Sequence, residues 1–148
     1  LNKAKQKLIP YKEKIDFIAE DLNNNIEIKE CDLVIVNLCL QFLELESREQ
    51  LIKTIYKALK PNGCLLLIEK TKTKDSDIGS VFQEFYYELK KRKEYSNEEI
   101  SNKQEALKGV LMPKTITENK SLLMKCGFQK IDTFFQWLNF VGFVALKE

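Results

Sequence analysis

Apolar positions in this chain fall into runs whose period changes, and the changes mark the elements. Leu33–Leu40 is nearly continuous in apolar residues, with β-branched Val34, Ile35 and Val36 in succession. One-sided burial does not need such a run, so it predicts a parallel strand covered on both faces. Ser47 with Gln50 three residues on then has the form of a capping box. Leu51, Ile52, Ile55 and Leu59 give the helix behind it one apolar face. Pro61, Asn62 and Gly63 stop that helix and turn the chain. Cys64–Ile68 resumes an apolar run of strand length, closed by Glu69 and Lys70. Cys31–Lys70 is therefore a βαβ unit with an expected right-handed crossover, and the rest of the chain is arranged around it.

The flanks are read from the same signals. Leu1, Ala4 and Leu8 form the tail of a helix ended by Pro10, and Ile15–Ala19 predicts a short strand finishing at Glu20-Asp21. Asn23-Asn24-Asn25 is a solvated turn, and Thr71–Ser76 is a polar connection. Ile78–Leu107 holds two helices. The first places Ile78, Val81, Phe82, Phe85 and Leu89 on one face, and the second opens with the capping box Ser96/Glu99. Thr115 and Glu118 open a further helix that Gly127 ends. Lys130–Leu138 and Val141–Lys147 are joined by too short a turn for a parallel crossover, so they predict an antiparallel hairpin.

Composition narrows the function. A length of 148 residues suits one domain, with the two helices at about 78–107 as an insertion. A net charge of +2 is too small to argue for nucleic-acid binding, and no apolar run spans a membrane. The run Lys90-Lys91-Arg92-Lys93 suits a solvated helix C-terminus, with an RNA-contacting patch as the other reading. Cys31, Cys39, Cys64 and Cys126 form no CxxC pair, which points to buried free thiols and a reducing cytoplasm. Histidine is absent, which excludes Ser-His-Asp and Cys-His catalysis. The chemistry must rest on positioning, carboxylates, amides or a reactive cofactor.

Ligands of open α/β sheets bind outside the carboxyl ends of the strands. Asp21, at the end of the first predicted strand, and Asn37, in the second, fall there. A carboxylate at that place can accept from a purine amine and an amide can anchor a polar tail; an ordinary turn residue and a satisfied buried amide are the plain alternatives. Tyr86 and Tyr87, at helical spacing, read as core or dimer-contact aromatics, with the lining of a substrate pocket as the other reading.

The string Asn37-Leu-Cys-Leu-Gln-Phe-Leu-Glu44 is followed by Ile55-Tyr56, Leu59, Pro61-Asn-Gly63 and Glu69-Lys70. Tyr95-Ser96, Glu99-Ile-Ser101, Lys103, Lys120, Gly127-Phe128, Phe135-Gln136, Asn139-Phe140 and Val144-Ala-Leu-Lys147 continue the pattern. From about Asp16 onward the chain resembles the carboxy-S-adenosyl-L-methionine synthase family. The resemblance implies an α/β class I S-adenosylmethionine-dependent methyltransferase fold (Rossmann-like) and a homodimer. It also implies transfer of the prephenate carboxyl group to the methyl carbon of S-adenosyl-L-methionine, for wobble-uridine modification of tRNA. Decarboxylation of prephenate supplies the base in that chemistry, so no protein histidine is needed. By resemblance, Asp21 and the backbone of Leu22 hold the adenine, and Asn37 contacts the methionine or ribose part. No direct nucleic-acid contact, membrane or metal is implied.

Two departures stand out. Where the family carries an arginine that grips the carboxylate of carboxy-S-adenosyl-L-methionine across the dimer, this chain has Gln104. A neutral amide makes no bidentate charged pair. The family's first strand, Gly-rich loop, first helix and second strand are also missing, and the five glycines form no GxGxG. In the family's strand order, 3-2-1-4-5-7-6, two strands separate Ile15–Ala19 from Leu33–Leu40. At about 4.8 Å per strand spacing this leaves them roughly 14 Å apart. An upstream segment is expected to fill that place, rather than a shifted first strand or another chain. Three functions remain open: the synthase, an ordinary S-adenosylmethionine-dependent methyltransferase, and a non-catalytic dimerisation or scaffold unit.

Overall fold

The structure is a computed structural model that describes all 148 residues. Helix α1 (Asn2–Lys7) and a 3-10 segment at Ile9–Lys14 precede strand β1 (Cys31–Asn37). Helix α2 (Leu45–Ala58) and strand β2 (Leu59–Lys70) complete the βαβ unit. Helices α3 (Ser76–Arg92), α4 (Asn97–Leu107) and α5 (Ile116–Lys125) lead into the hairpin of β3 (Lys130–Trp137) and β4 (Phe140–Leu146).

The four strands form one sheet in the order β1-β2-β4-β3. β1 runs parallel to β2, with Val34 opposite Leu65 and Val36 opposite Leu67. β4 lies antiparallel between β2 and β3. Alternation along the strands sends Val36, Leu65, Leu67, Val141, Phe143 and Ala145 to one face. There they meet Leu51, Ile52 and Ile55 of α2, Leu123 and Cys126 of α5, and Phe128. The capping boxes at Ser96/Glu99 and Thr115/Glu118 both form, which fixes where α4 and α5 begin.

Several expectations are corrected. Ile15–Ala19 forms no strand, because no neighbouring strand offers its backbone a ladder; Ile15 and Phe17 are half-buried in an irregular segment. The anticipated hole therefore does not lie inside the sheet: it lies beyond β1, which is an edge. For the same reason β1 is covered on one face only, and Leu33 and Ile35 are 49% and 58% exposed on the other. Ser47 is not the N-cap of α2, whose cap is Glu44. Asn23 serves that end instead: its Oδ1 accepts the Glu44 N–H at 3.1 Å, and its carbonyl accepts the Ser47 hydroxyl at 3.3 Å. The triple-asparagine turn is thus pinned to α2 rather than merely solvated. Helix α2 already ends at Ala58 and Leu59 belongs to β2, so Pro61-Asn62-Gly63 does not stop the helix; it lies within β2 as a bulge where the β1 register shifts. Along α3, Ile78, Val81, Phe85 and Leu89 share a face as expected, yet none is buried.

Gly127 has φ +117°, and a Cβ there would lie 2.9 Å from the Tyr56 ring. That ring packs edge-on against Phe128, with centroids 4.9 Å apart, so it has little room to yield. Gly127→Ala is expected to destabilise the fold by about 1–3 kcal/mol, read as a lower urea midpoint at unchanged slope; an unmoved midpoint would contradict this packing.

Candidate functional site

The carboxyl ends of β1 and β2 are joined by buried polar contacts. Along β2, Leu65 and Leu67 face the core, and the same alternation turns Glu69 inward, leaving it only 2% exposed. Its carboxylate accepts the backbone N–H groups of Cys39 at 3.3 Å and Leu40 at 3.1 Å, at the start of a 3-10 turn. Gln41, also buried, accepts the Lys70 N–H at 2.7 Å through its side chain. Its carbonyl accepts from Arg48 Nη2 at 3.1 Å and from the Met112 N–H at 2.9 Å. Arg48, 3% exposed, also donates from Nε to the Leu43 carbonyl at 3.0 Å. Burial pushes the Glu69 carboxyl up to about 7, against the pull of the backbone N–H groups of Gln41, Cys39 and Leu40 and of the Arg48 charge.

This polar cluster shapes the turn that follows β1. Leu38 takes φ +52° and donates to the Ile68 carbonyl at 2.8 Å, immediately after Asn37. Asn37 itself is exposed on the edge strand, so its side chain is not a buried satisfied amide. Asp21 forms a tight turn by accepting from the Asn23 backbone N–H at 2.9 Å and its side-chain amide at 3.2 Å. Because Asn23 is fastened to Glu44 and Ser47, the Asp21–Leu22 turn sits beside the start of α2, on the same side of the sheet as Asn37. Leu22 packs against the hydrophobic core. Asp21, Leu22 and Asn37 thus share one end of the sheet, and no hydrogen bond joins Asn37 to the other two.

Gln104 lies elsewhere around that end. It projects from α4 toward α3 and donates to the Tyr87 hydroxyl, which also accepts from Gln83 Nε2 at 2.6 Å. Tyr87 and Gln104 both line two cavities. The larger, about 480 Å³, is lined mainly by polar residues including Thr71, Ser80, Lys108 and Asn139. The smaller, about 290 Å³, is bounded by Leu38, Tyr86, Leu107 and Phe140, with Lys70, Lys90 and Lys103 around it. Tyr86 and Tyr87 therefore line cavities, and Tyr86 also packs on Phe140 with centroids 5.4 Å apart.

Sequence reasoning passed over Glu69, Gln41 and Arg48 as functional positions. The signals were present: Arg48 precedes Leu51, Ile52 and Ile55 at helical spacing, and Glu69 follows Leu65 and Leu67 at strand spacing. The four cysteines are all free, with Cys126 buried and the others half-buried. No helix is long and apolar enough to cross a membrane.

A sheet ordered β1-β2-β4-β3, with one parallel and two antiparallel pairings, corresponds to strands 4-5-7-6 of the class I S-adenosylmethionine-dependent methyltransferases. Comparison with solved structures agrees. An O-methyltransferase family protein from Burkholderia thailandensis superposes with a TM-score of 0.69 at 14% identity, covering 99% of this chain and 40% of that one. A family model described as "Methyltransferase domain" matches residues 1–67. The fold is that of this methyltransferase class.

Sequence relatives narrow the class. The carboxy-S-adenosyl-L-methionine synthase of Methylococcus capsulatus is 40% identical over 133 residues, covering 90% of this chain and 55% of its own length. That of Desulfotalea psychrophila is 39% identical over 149 residues, covering 99% and 60%. The chain is thus similar over most of its own length to carboxy-S-adenosyl-L-methionine synthases, and it spans little more than half the length of these relatives.

The Glu69 environment makes a pH prediction. The folded chain keeps a proton on this carboxyl up to about pH 7, whereas the unfolded chain releases it near 4.5. The folded state therefore holds the extra proton between these values, and stability falls as pH rises through that window. The loss from this group is at most about 3 kcal/mol. Glu69→Gln keeps an acceptor for the Cys39 and Leu40 N–H groups and should flatten the profile between pH 4.5 and 7 in urea melts. An unchanged slope in the variant would assign the titration to another group.

Proposed function

We propose that this chain takes part in carboxyl transfer on S-adenosyl-L-methionine, with prephenate as donor, in the route that modifies wobble uridine of tRNA. What carries the reading is the kinship at about 40% identity to carboxy-S-adenosyl-L-methionine synthases, which runs through the strand ends where the site lies. Asp21 and Leu22 are assigned to the adenine and Asn37 to the methionine or ribose part. All three stand at the carboxyl end of the sheet, where ligands of such folds bind. Helices α3 and α4 are read as an insertion into a single methyltransferase-like unit. The absence of histidine suits a reaction whose base comes from decarboxylation of the donor.

One observation favours a second reading, ordinary methyl transfer. Gln104 occupies the position of the carboxylate-gripping arginine and engages Tyr87 of its own chain. Calorimetric titration with S-adenosyl-L-methionine and then carboxy-S-adenosyl-L-methionine separates the two. Micromolar binding with preference for the carboxylated ligand supports carboxyl transfer; preference for the methyl form supports methyl transfer. Silence with both from a folded chain supports a scaffold role. Gln104→Arg is expected to raise the preference for the carboxylated ligand about tenfold, since a charge-assisted hydrogen bond contributes about 1.5–3 kcal/mol. An unchanged ratio would remove residue 104 from the site.

The assembly proposed is a homodimer. Its support is the apolar face of α3, where Ile78, Val81 and Phe85 are each about half exposed, together with exposed Phe134, Phe135 and Trp137 on the hairpin. Grouped exposed apolar side chains of this size mark contact surfaces. Sedimentation velocity is expected to give a dimer that Phe85→Lys converts to monomer; a monomer at all concentrations, or a dimer indifferent to the change, would refute this surface.

A further inference from the structure

The parallel ladder between β1 and β2 ends by handing its bonds to side chains. Asn37 stands opposite Ile68, and the Leu38 N–H still donates to the Ile68 carbonyl at 2.8 Å. Beyond that bond the backbones no longer pair with each other. Glu69 Oε1 accepts the next two N–H groups, Cys39 at 3.3 Å and Leu40 at 3.1 Å. In the other direction, Gln41 Oε1 accepts the Lys70 N–H at 2.7 Å. This exchange lets the two strands part while the donors of both keep partners.

Leu38 bears the strain of that parting. Its φ of +52° lies in the left-handed region, where the Cβ of a leucine crowds the following carbonyl oxygen. Such a conformation persists only where surrounding bonds over-determine it. Here they hold the turn from two sides: the Leu38 N–H on Ile68, and the two that follow on Glu69. The Leu38 side chain is exposed and anchors little. Glu69 is buried, on a strand whose Leu65 and Leu67 are fixed in the core. A carboxylate on a rigid strand thus grips a strained turn, and Asn37 is the residue immediately before it.

We infer that Glu69 is a positioning residue for the ligand: through the Cys39 and Leu40 N–H groups it holds Leu38 left-handed, and so sets how Asn37 is presented. The ligand's part in this rests on the function proposed above, where Asn37 is assigned to the methionine or ribose part of S-adenosyl-L-methionine. The grip on the turn follows from the bonds and the backbone angle alone. Glu69 acts through the backbone and has no contact with the ligand of its own. Its removal lowers the fraction of molecules with the turn in place, and apparent affinity falls in proportion. A leucine released from these bonds leaves the left-handed region, whereas a glycine populates it about as readily as the right-handed one. Glycine at position 38 therefore makes the grip partly dispensable.

Two measurements on the 148-residue chain test the grip. Calorimetric titration with S-adenosyl-L-methionine reads the ligand, and amide hydrogen exchange of Cys39 and Leu40 reads the turn. Glu69→Gln keeps an acceptor and should stay within threefold of wild-type affinity. Glu69→Ala should weaken binding at least tenfold and speed exchange of both amides at least tenfold. Adding Leu38→Gly to Glu69→Ala should recover at least threefold in affinity. A Glu69 that only stabilised the fold would leave the folded fraction at full affinity, with nothing for Leu38→Gly to restore. Leu38→Val, whose β-branched side chain resists positive φ, should weaken binding at least threefold with Glu69 intact. It remains a fair test if Glu69→Ala does not fold by circular dichroism. Full affinity in Glu69→Ala, no recovery with Leu38→Gly, or wild-type affinity in Leu38→Val would each overturn the positioning role and leave the proposed function standing. No heat from a folded wild type would instead remove the ligand assigned to Asn37, and the positioning role with it, while exchange still reports whether Glu69 holds the turn.

Discussion

A buried carboxylate fastened to two backbone N–H groups holds the working end of this sheet together. Glu69 stands at the end of β2, and its bonds to Cys39 and Leu40 fix the turn that follows β1. An unpaired buried carboxylate costs several kcal/mol, so the turn cannot move away without exposing that cost. Arg48 and Gln41 extend the same arrangement to the start of α2 and to Met112, just beyond α4. The loops that would meet a ligand are therefore positioned by polar groups lying directly beneath them. Hydrophobic packing sets where the sheet and α2 lie; the polar cluster sets where the ends of the strands point.

Much of the fold was legible because its determinants are local. The Thr115/Glu118 and Ser96/Glu99 pairs announce helix starts through contacts three residues apart, and both form. Gly127 ends α5 at a positive φ that few other residues adopt cheaply. The hairpin follows from loop length alone. What failed depended on distant partners. Ile15–Ala19 has the alternation of a strand, yet strand status requires a neighbour, and none lies beside it. Ser47 looked like a cap because the capping-box spacing was right, but Asn23, twenty-one residues before Glu44, supplies the bond at that end. Leu33 and Ile35 read as doubly buried because composition reports only that a face could be buried, not that anything covers it.

The site divides along the same line. Asp21 and Asn37 were assigned to the ligand end of the sheet by a topological rule and Leu22 by resemblance, and no purely local signal distinguishes them from turn residues. The buried polar residues were hidden for a different reason. Glu69 and Arg48 sit at apolar-phase positions of a strand and a helix, where a charged residue departs from the pattern. Such a departure is informative because burial of an unpaired charge is costly and persists only when partners are built around it. The lysines of the smaller cavity come from β2, α3 and α4, so their convergence exists only after those elements pack.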